Sequence, residues 1–191
     1  MGVVILAGPS GSGKSHLAAR LGWTVVRLDD FYRDADEPGM PRSSLGIVDW
    51  DHADSWSSAA AVDAIAALCE VGVAEVPVYD IAASSRTGSH TLTLSGGPFI
   101  AEGLFASLIV DTCRSAGMLD AAICLRRNRV ITFALRLTRD LREGRKSPVV
   151  LVRRGWRLMR DEPRIVADAV AHGCEPMTPR QARRLLLSLQ A

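Results

Sequence analysis

Eight residues near the N-terminus have the types and spacing to hold phosphate. Gly8-Pro9-Ser10-Gly11-Ser12-Gly13-Lys14-Ser15 fits G-x-x-x-x-G-K-[ST], the P-loop pattern. Its glycines let the backbone curl so that several N–H groups face one anion. Lys14 would reach the β- and γ-phosphates, and the Ser15 hydroxyl would ligate Mg²⁺. Gly8, Ser10, Gly11, Ser12, Gly13, Lys14, Ser15 and His16 are therefore the candidate nucleotide-binding residues. Two carboxylates are candidates for the remaining chemistry. Asp29 ends the apolar run Trp23 to Leu28, and Glu102 ends Pro98-Phe99-Ile100-Ala101. A carboxylate at the carboxyl end of a parallel strand projects into the ligand crevice of an open α/β sheet. Phosphoryl transfer needs positioned phosphates, a metal ion, an orienter for the acceptor hydroxyl and cations for the developing charge. Lys14, Ser15, Asp29, Glu102 and the pair Arg136 and Arg139 could fill those roles.

The elements that must position these residues alternate between strand and helix patterns. Val3 to Ala7 reads as a buried strand, and a helix starts at His16 after the loop. Asp120 to Leu125 is a further buried strand, and His90 to Leu94 alternates as a half-buried one would. Ala74 to Asp80 is a short extended piece. Helices are predicted over Ala60 to Val71, with Asp54 or Ser55 as cap, over Asn128 to Glu143, Val149 to Met159 and Pro163 to Ala171. Thr178-Pro179-Arg180-Gln181 carries a Thr cap, an early Pro and a Gln three residues on, and opens a last helix to Leu189. This order implies a parallel β-sheet flanked by helices on both faces, an α/β fold of the P-loop NTPase kind. One domain over residues 1–191 is expected, with an Arg-rich helical lid at about 128–146 and acceptor-site insertions at about 33–54 and 77–97.

Composition bounds the function classes. A hydrophobic fraction of 48% and a charged fraction of 23% are those of an ordinary globular protein. The net charge of +2 is too small to make nucleic acid the main partner. Arg126 to Arg160 holds eleven arginines and Lys146 against Asp140 and Glu143, which suggests a surface that handles phosphate charge. Only Phe133 and Trp156 interleave that run, so a base-stacking platform is poorly supported. Cys69, Cys113, Cys124 and Cys174 form no C-x-x-C pair and read as free thiols of a reducing cytosol. No apolar run reaches membrane-spanning length, so a cytoplasmic protein without a membrane partner is expected. His16, His90 and His172 show no partner for catalysis. Oligomeric state, a homo-oligomer included, is left open.

A set of motifs carries a family resemblance. In order they are the P-loop, Asp29-Asp30-Phe31-Tyr32, Asp49-Trp50-Asp51-His52, Pro77-Val78-Tyr79-Asp80 with Arg86, Phe99-Ile100-Ala101-Glu102-Gly103, and Arg136-Leu137-Thr138-Arg139-Asp140. With them the sequence resembles the uridine kinase family, within the wider uridine kinase/phosphoribulokinase group. The resemblance implies an ATP- and Mg²⁺-dependent kinase acting on the 5′-hydroxyl of uridine or cytidine. Asp29 then matches the catalytic aspartate, and Glu102 with Ser15 the metal site. Asp51 matches the residue that binds the ribose hydroxyls, while Tyr32, Tyr79, Ser84 and Arg86 fall on the acceptor side. Arg136 and Arg139 match lid arginines that grip the triphosphate. Where the family commonly carries a His that reads the base, this chain has Ser84. The alternatives are a related kinase with another hydroxyl acceptor, such as another riboside or a pantothenate-like compound, and a nucleotide-binding regulatory protein without transfer.

Overall fold

Every residue of Val3–Ala7 is buried, which requires cover on both faces, and the structure supplies it. The computed structural model describes residues 1–142, 160 and 162–189. Strand β1 (Val3–Ala7) lies at the centre of a parallel sheet with β2 (Val25–Arg27), β5 (Phe99–Glu102), β6 (Leu119–Leu125) and β7 (Glu175–Met177). The order is β2-β5-β1-β6-β7. Because strand side chains alternate, Val3, Ile5 and Ala7 face one core and Val4 and Leu6 the other. The first core is closed by α2 (Ser58–Val71), α3 (Val110–Ser115) and a helix α5 over 162–171, and the second by α1 (Lys14–Leu21) and α6 (Pro179–Ser188). Helix α4 (Arg129–Arg142) follows β6. Among the described residues no helix is long and apolar enough to cross a membrane, and all four cysteines are free.

Local signals explain most of these elements. Thr178 and Gln181 form the reciprocal capping box with Pro179 in the first turn. Helix α2 ends at Gly72, whose φ of 74° suits a left-handed cap. Its start differs from expectation. Asp54 and Ser55 lie in a 3-10 turn (Ala53–Ser55), and Ser57 caps α2 by accepting the Ala60 N–H at 3.3 Å. The second strand is also shorter than its apolar run. After Arg27 the chain tightens into a 3-10 turn (Leu28–Phe31) that carries Asp29 and Asp30 at the strand exit.

The stretch around His90 is corrected more deeply. Strand β4 (Ser85–Thr93) starts earlier than expected and, among the described residues, pairs only with β3 (Val73–Asp80), as an antiparallel two-stranded ribbon outside the parallel sheet. Its alternation is therefore not that of a half-buried strand, and most of its residues are exposed. The base of the ribbon is anchored by Ala74 and Val76 in the core, while its tip stands out beside the loop after β2. The short β7 and α3 had no legible periodicity, and the helix expected over Val149 to Met159 lies outside the described residues.

Candidate functional site

The phosphate cradle is set by close backbone packing. Gly8 has φ +131°, and a Cβ there would fall 2.5 Å from the Leu125 carbonyl oxygen, so only glycine lets β1 turn beside β6. Gly13, at φ 100°, then turns the chain into α1. Lys14 Nζ folds back and donates to the Gly8 carbonyl at 2.8 Å, which keeps the ammonium over the loop. Ser12 Oγ is fully buried and has no hydrogen-bond partner among the described residues. A buried hydroxyl left this way in a glycine-rich turn that enters a helix fits an anion as its partner. Arg127 stands above, its Nη2 3.6 Å from where a Gly13 Cβ would lie. It belongs to a cleft of about 500 Å³ bounded by Arg126, Arg127, Asn128 and Arg129 on one side and Glu162 and Pro163 on the other.

Parallel pairing brings Glu102 to the same edge. β5 sits between β1 and β2, with Glu102 opposite Leu6 and Arg27. Ser15 Oγ donates to Glu102 Oε1 at 2.7 Å, so two residues 87 positions apart form one oxygen pair beside the cradle. Two hard oxygens suit Mg²⁺, which keeps several waters and takes one or two protein ligands plus phosphate oxygens. Among the described residues no group of three or more His, Cys, Asp or Glu is arranged for a metal. Asp29 lies next to this pair. Its Oδ1 accepts the Leu104 N–H at 2.9 Å, and the lack of a side chain at Gly103 makes room for it.

Opposite Asp29 lies a nest of rings. Tyr32 meets Trp50 at 5.7 Å, Tyr79 at 5.8 Å and Phe105 at 6.0 Å between centroids. Burial, reinforced by the Asp29 and Asp51 charges, pushes the Tyr32 hydroxyl well above its ordinary pKa. The Tyr79 hydroxyl is pushed up to about 12, chiefly by burial and then by Asp34. Both phenols are thus neutral donors at physiological pH; Tyr32 Oη donates to the Trp50 carbonyl and Tyr79 Oη to the Arg33 carbonyl, each at 3.3 Å.

The structure brings Lys14, Ser15, Asp29 and Glu102 to one sheet edge and Tyr32 and Tyr79 beside it. Asp51 is exposed on the loop, close enough for its charge to act on Tyr32. Ser84 sits in the ribbon turn at φ 53°, the one left-handed non-glycine residue among those described, with its hydroxyl on the Ile81 carbonyl. Arg86 points its guanidinium at Asp34 and Glu37. His16 is exposed on α1, and His52 caps the turn at Asp54. The Arg136 and Arg139 side chains lie outside the described residues, as does the end of the expected lid, although the α4 backbone that carries them is helical. Sequence reasoning covered Arg127 only as one of the Arg126 to Arg160 run, and singled out neither Phe105 nor Asp34 and Glu37. Phe105 follows Gly103 closely and could have been found as the residue just past a strand exit. The two acids stood in the insertion expected at about 33–54, whose aperiodic polar sequence singles out no one residue.

A parallel sheet with a glycine-rich cradle at the end of its central strand is the fold of the P-loop kinases. Among solved structures, a protein of Silicibacter sp. TM1040 named as a fructose transport system kinase aligns at a TM-score of 0.62 and 20% identity over 87% of this chain and 84% of its own. The phosphoribulokinase of Rhodobacter spheroides aligns at 0.55 and 14% identity over 93% and 69%. No protein-family model matches the chain. Among curated proteins the chain is similar to several named uridine kinase. That of Clostridium botulinum (strain Kyoto / Type A2) is 26% identical over 145 residues, 72% of this chain and 68% of the relative. The resemblance read from the motifs is therefore borne out. It supports a kinase, a transferase built on a nucleotide-binding P-loop.

Proposed function

We propose that the protein moves the γ-phosphoryl group of ATP, with Mg²⁺, onto the hydroxyl of a small nucleoside-like acceptor, foremost the 5′-hydroxyl of uridine or cytidine. The carrying observation is the Ser15–Glu102 pair with Asp29 anchored beside it, near enough to the ring nest for its charge to act on Tyr32. In this reading the cradle residues, Gly8 to His16, hold the phosphates, and Ser15 and Glu102 would hold the metal ion, which neutralises phosphate charge. Asp29 orients the acceptor hydroxyl and takes its proton while the acceptor oxygen bonds phosphorus and the bond from phosphorus to the β–γ bridging oxygen breaks. Lys14, Arg136 and Arg139 supply cations for the developing charge, the last two from a lid over about 128–146. Tyr32, Asp51, Tyr79, Ser84 and Arg86 belong to the acceptor side, formed by the insertions at about 33–54 and 77–97. A neutral nucleoside suits that side, because an aromatic nest offers stacking area to a flat base.

One observation favours a second reading, a related kinase with a different hydroxyl acceptor. Ser84 is short, and its hydroxyl is engaged within the ribbon turn, so it brings no imidazole to a base edge. The experiment is ATP consumption with Mg²⁺ against uridine, cytidine, adenosine, other ribosides and pantothenate, with Asp29→Asn as control. Turnover with a pyrimidine nucleoside supports the first reading. Turnover with another acceptor alone moves the substrate and keeps the mechanism. ATP binding with no acceptor-dependent turnover refutes both. Normal turnover in Asp29→Asn, or lost ATP binding, refutes the role of Asp29.

A further inference from the structure

The tip of the β3–β4 ribbon is exposed and, among the described residues, has no sheet partner beyond its own hairpin, yet it carries Tyr79 into the ring nest. What holds it there is the loop after β2. Asp34 Oδ1 accepts the Arg86 backbone N–H at 2.7 Å and its Nε at 3.2 Å, and Oδ2 accepts Nη2 at 3.2 Å. The same Nη2 donates to Glu37 Oε1. Glu37 Oε2 in turn takes Arg33 Nε at 2.9 Å, and the Arg33 guanidinium also donates to the Asp54 and Pro38 carbonyls. Two further bonds cross the gap: Ala35 N–H to the Ser84 carbonyl at 3.0 Å, and Tyr79 Oη to the Arg33 carbonyl. Arg86 is the cross-strand partner of Tyr79, at a register shift in the ribbon, so fixing one fixes the other. Planar, bidentate pairing of Arg with a carboxylate sets orientation as well as distance.

We propose that Asp34 is a positioning residue, which clasps Arg86 and so holds the ribbon tip, with Tyr79 and Ser84, against the acceptor pocket. This rests on the acceptor-site reading above. It also gives Arg86 a different task from direct contact with an acceptor, since its guanidinium is already shared between two carboxylates. The hydrogen bonds from Arg86 hold the Asp34 carboxyl below its usual range, in keeping with a clasp that is charged at neutral pH. Asp34 is three-quarters buried as a side chain and Arg86 about half, so the pair is partly shielded from solvent.

The test uses the full chain as wild type, Asp34→Ala, Asp34→Glu, Arg86→Ala and the double variant, with two readouts. The first is amide hydrogen exchange over 81–89 and at Ala35, which needs no activity. The second is steady-state kinetics with the best acceptor of the panel. Asp34→Ala is expected to lower protection at the Arg86 and Ala35 amides by about tenfold. It should raise the acceptor KM by about tenfold while leaving the ATP KM unmoved and kcat within about threefold. Asp34→Glu should recover part of both effects, and the double variant should be no worse than Arg86→Ala, because the two residues act as one unit. Unchanged exchange in Asp34→Ala overturns the clasp. Faster exchange with an unmoved acceptor KM overturns its positioning role. If the wild type phosphorylates no acceptor, the function reading fails and the exchange readout still decides the clasp.

Discussion

Gly103→Ala tests how tightly Asp29 is placed. Gly103 follows Glu102, and a Cβ there would fall 2.7 Å from Leu28 Cβ and 2.9 Å from Asp29 Oδ1. The carboxylate can swing away, but Leu28 Cβ cannot. Leu28 is fully buried, and its carbonyl accepts the Trp56 indole N–H at 2.7 Å. Forcing one methyl into such a contact costs about 1–3 kcal/mol. At about 2–4 °C per kcal/mol for a chain of this size, Tm should fall by about 2–12 °C. The carboxylate must also leave the Leu104 N–H, and a displacement near 1 Å costs about a hundredfold in rate, or about 2.7 kcal/mol of barrier. The cradle is built on β1 and α1, so ATP affinity should not change. The assay pairs thermal unfolding with kcat and ATP binding by titration. A Tm within about 1 °C of wild type would refute the packing argument. A lowered Tm with wild-type kcat would refute the assignment of Asp29, since its carboxylate would have moved without consequence.

Other outcomes follow from single contacts. Lys14→Ala should weaken ATP binding and turnover together, by about tenfold or more, read as KM and kcat in the same titration. Trp56→Phe removes the indole N–H donated to the Leu28 carbonyl, and urea unfolding should show a loss of about 0.5–1.5 kcal/mol at unchanged m-value. Thr178→Ala removes the capping box of α6 and should cost about 1 kcal/mol by the same measurement. Asp34 and Glu37 have carboxyl pKa values lowered by hydrogen bonds from Arg86 and Arg33 respectively, with Tyr79 the neutral group beside them. Their contribution is therefore complete above the unfolded carboxylate range near pH 4 and is lost as pH falls through the lower folded values. Asp34→Asn should flatten that acid limb in a stability-against-pH series, and an unchanged limb would refute the linkage.

Legibility in the sequence tracked how local the cause was. The P-loop, the buried run Val3 to Ala7, the box at Thr178 and the stop at Gly72 all depend on residues within a few positions of one another, and each was read at its place. Asp29 and Glu102 could be placed at strand exits because a continuous apolar run ends at each. Asp54 and Ser55 misled because Ser57, two residues on, has the geometry to cap. β7 escaped notice because three residues that include Pro176 carry no pattern of their own, and pairing with β6 makes them a strand.

The amino-acid order alone determined the phosphate cradle and the α/β alternation, because short-range sterics and hydrophobic periodicity suffice for both. Tertiary structure decided which charges meet. Ser15 finds Glu102 across 87 residues, and Arg86, read from the motifs as an acceptor-side residue, becomes the partner of Asp34 and Glu37 across about fifty. The alternating stretch at His90 became an exposed ribbon for the same reason. An ion pair and a sheet edge are set by distance in space, and no spacing along the chain encodes that distance.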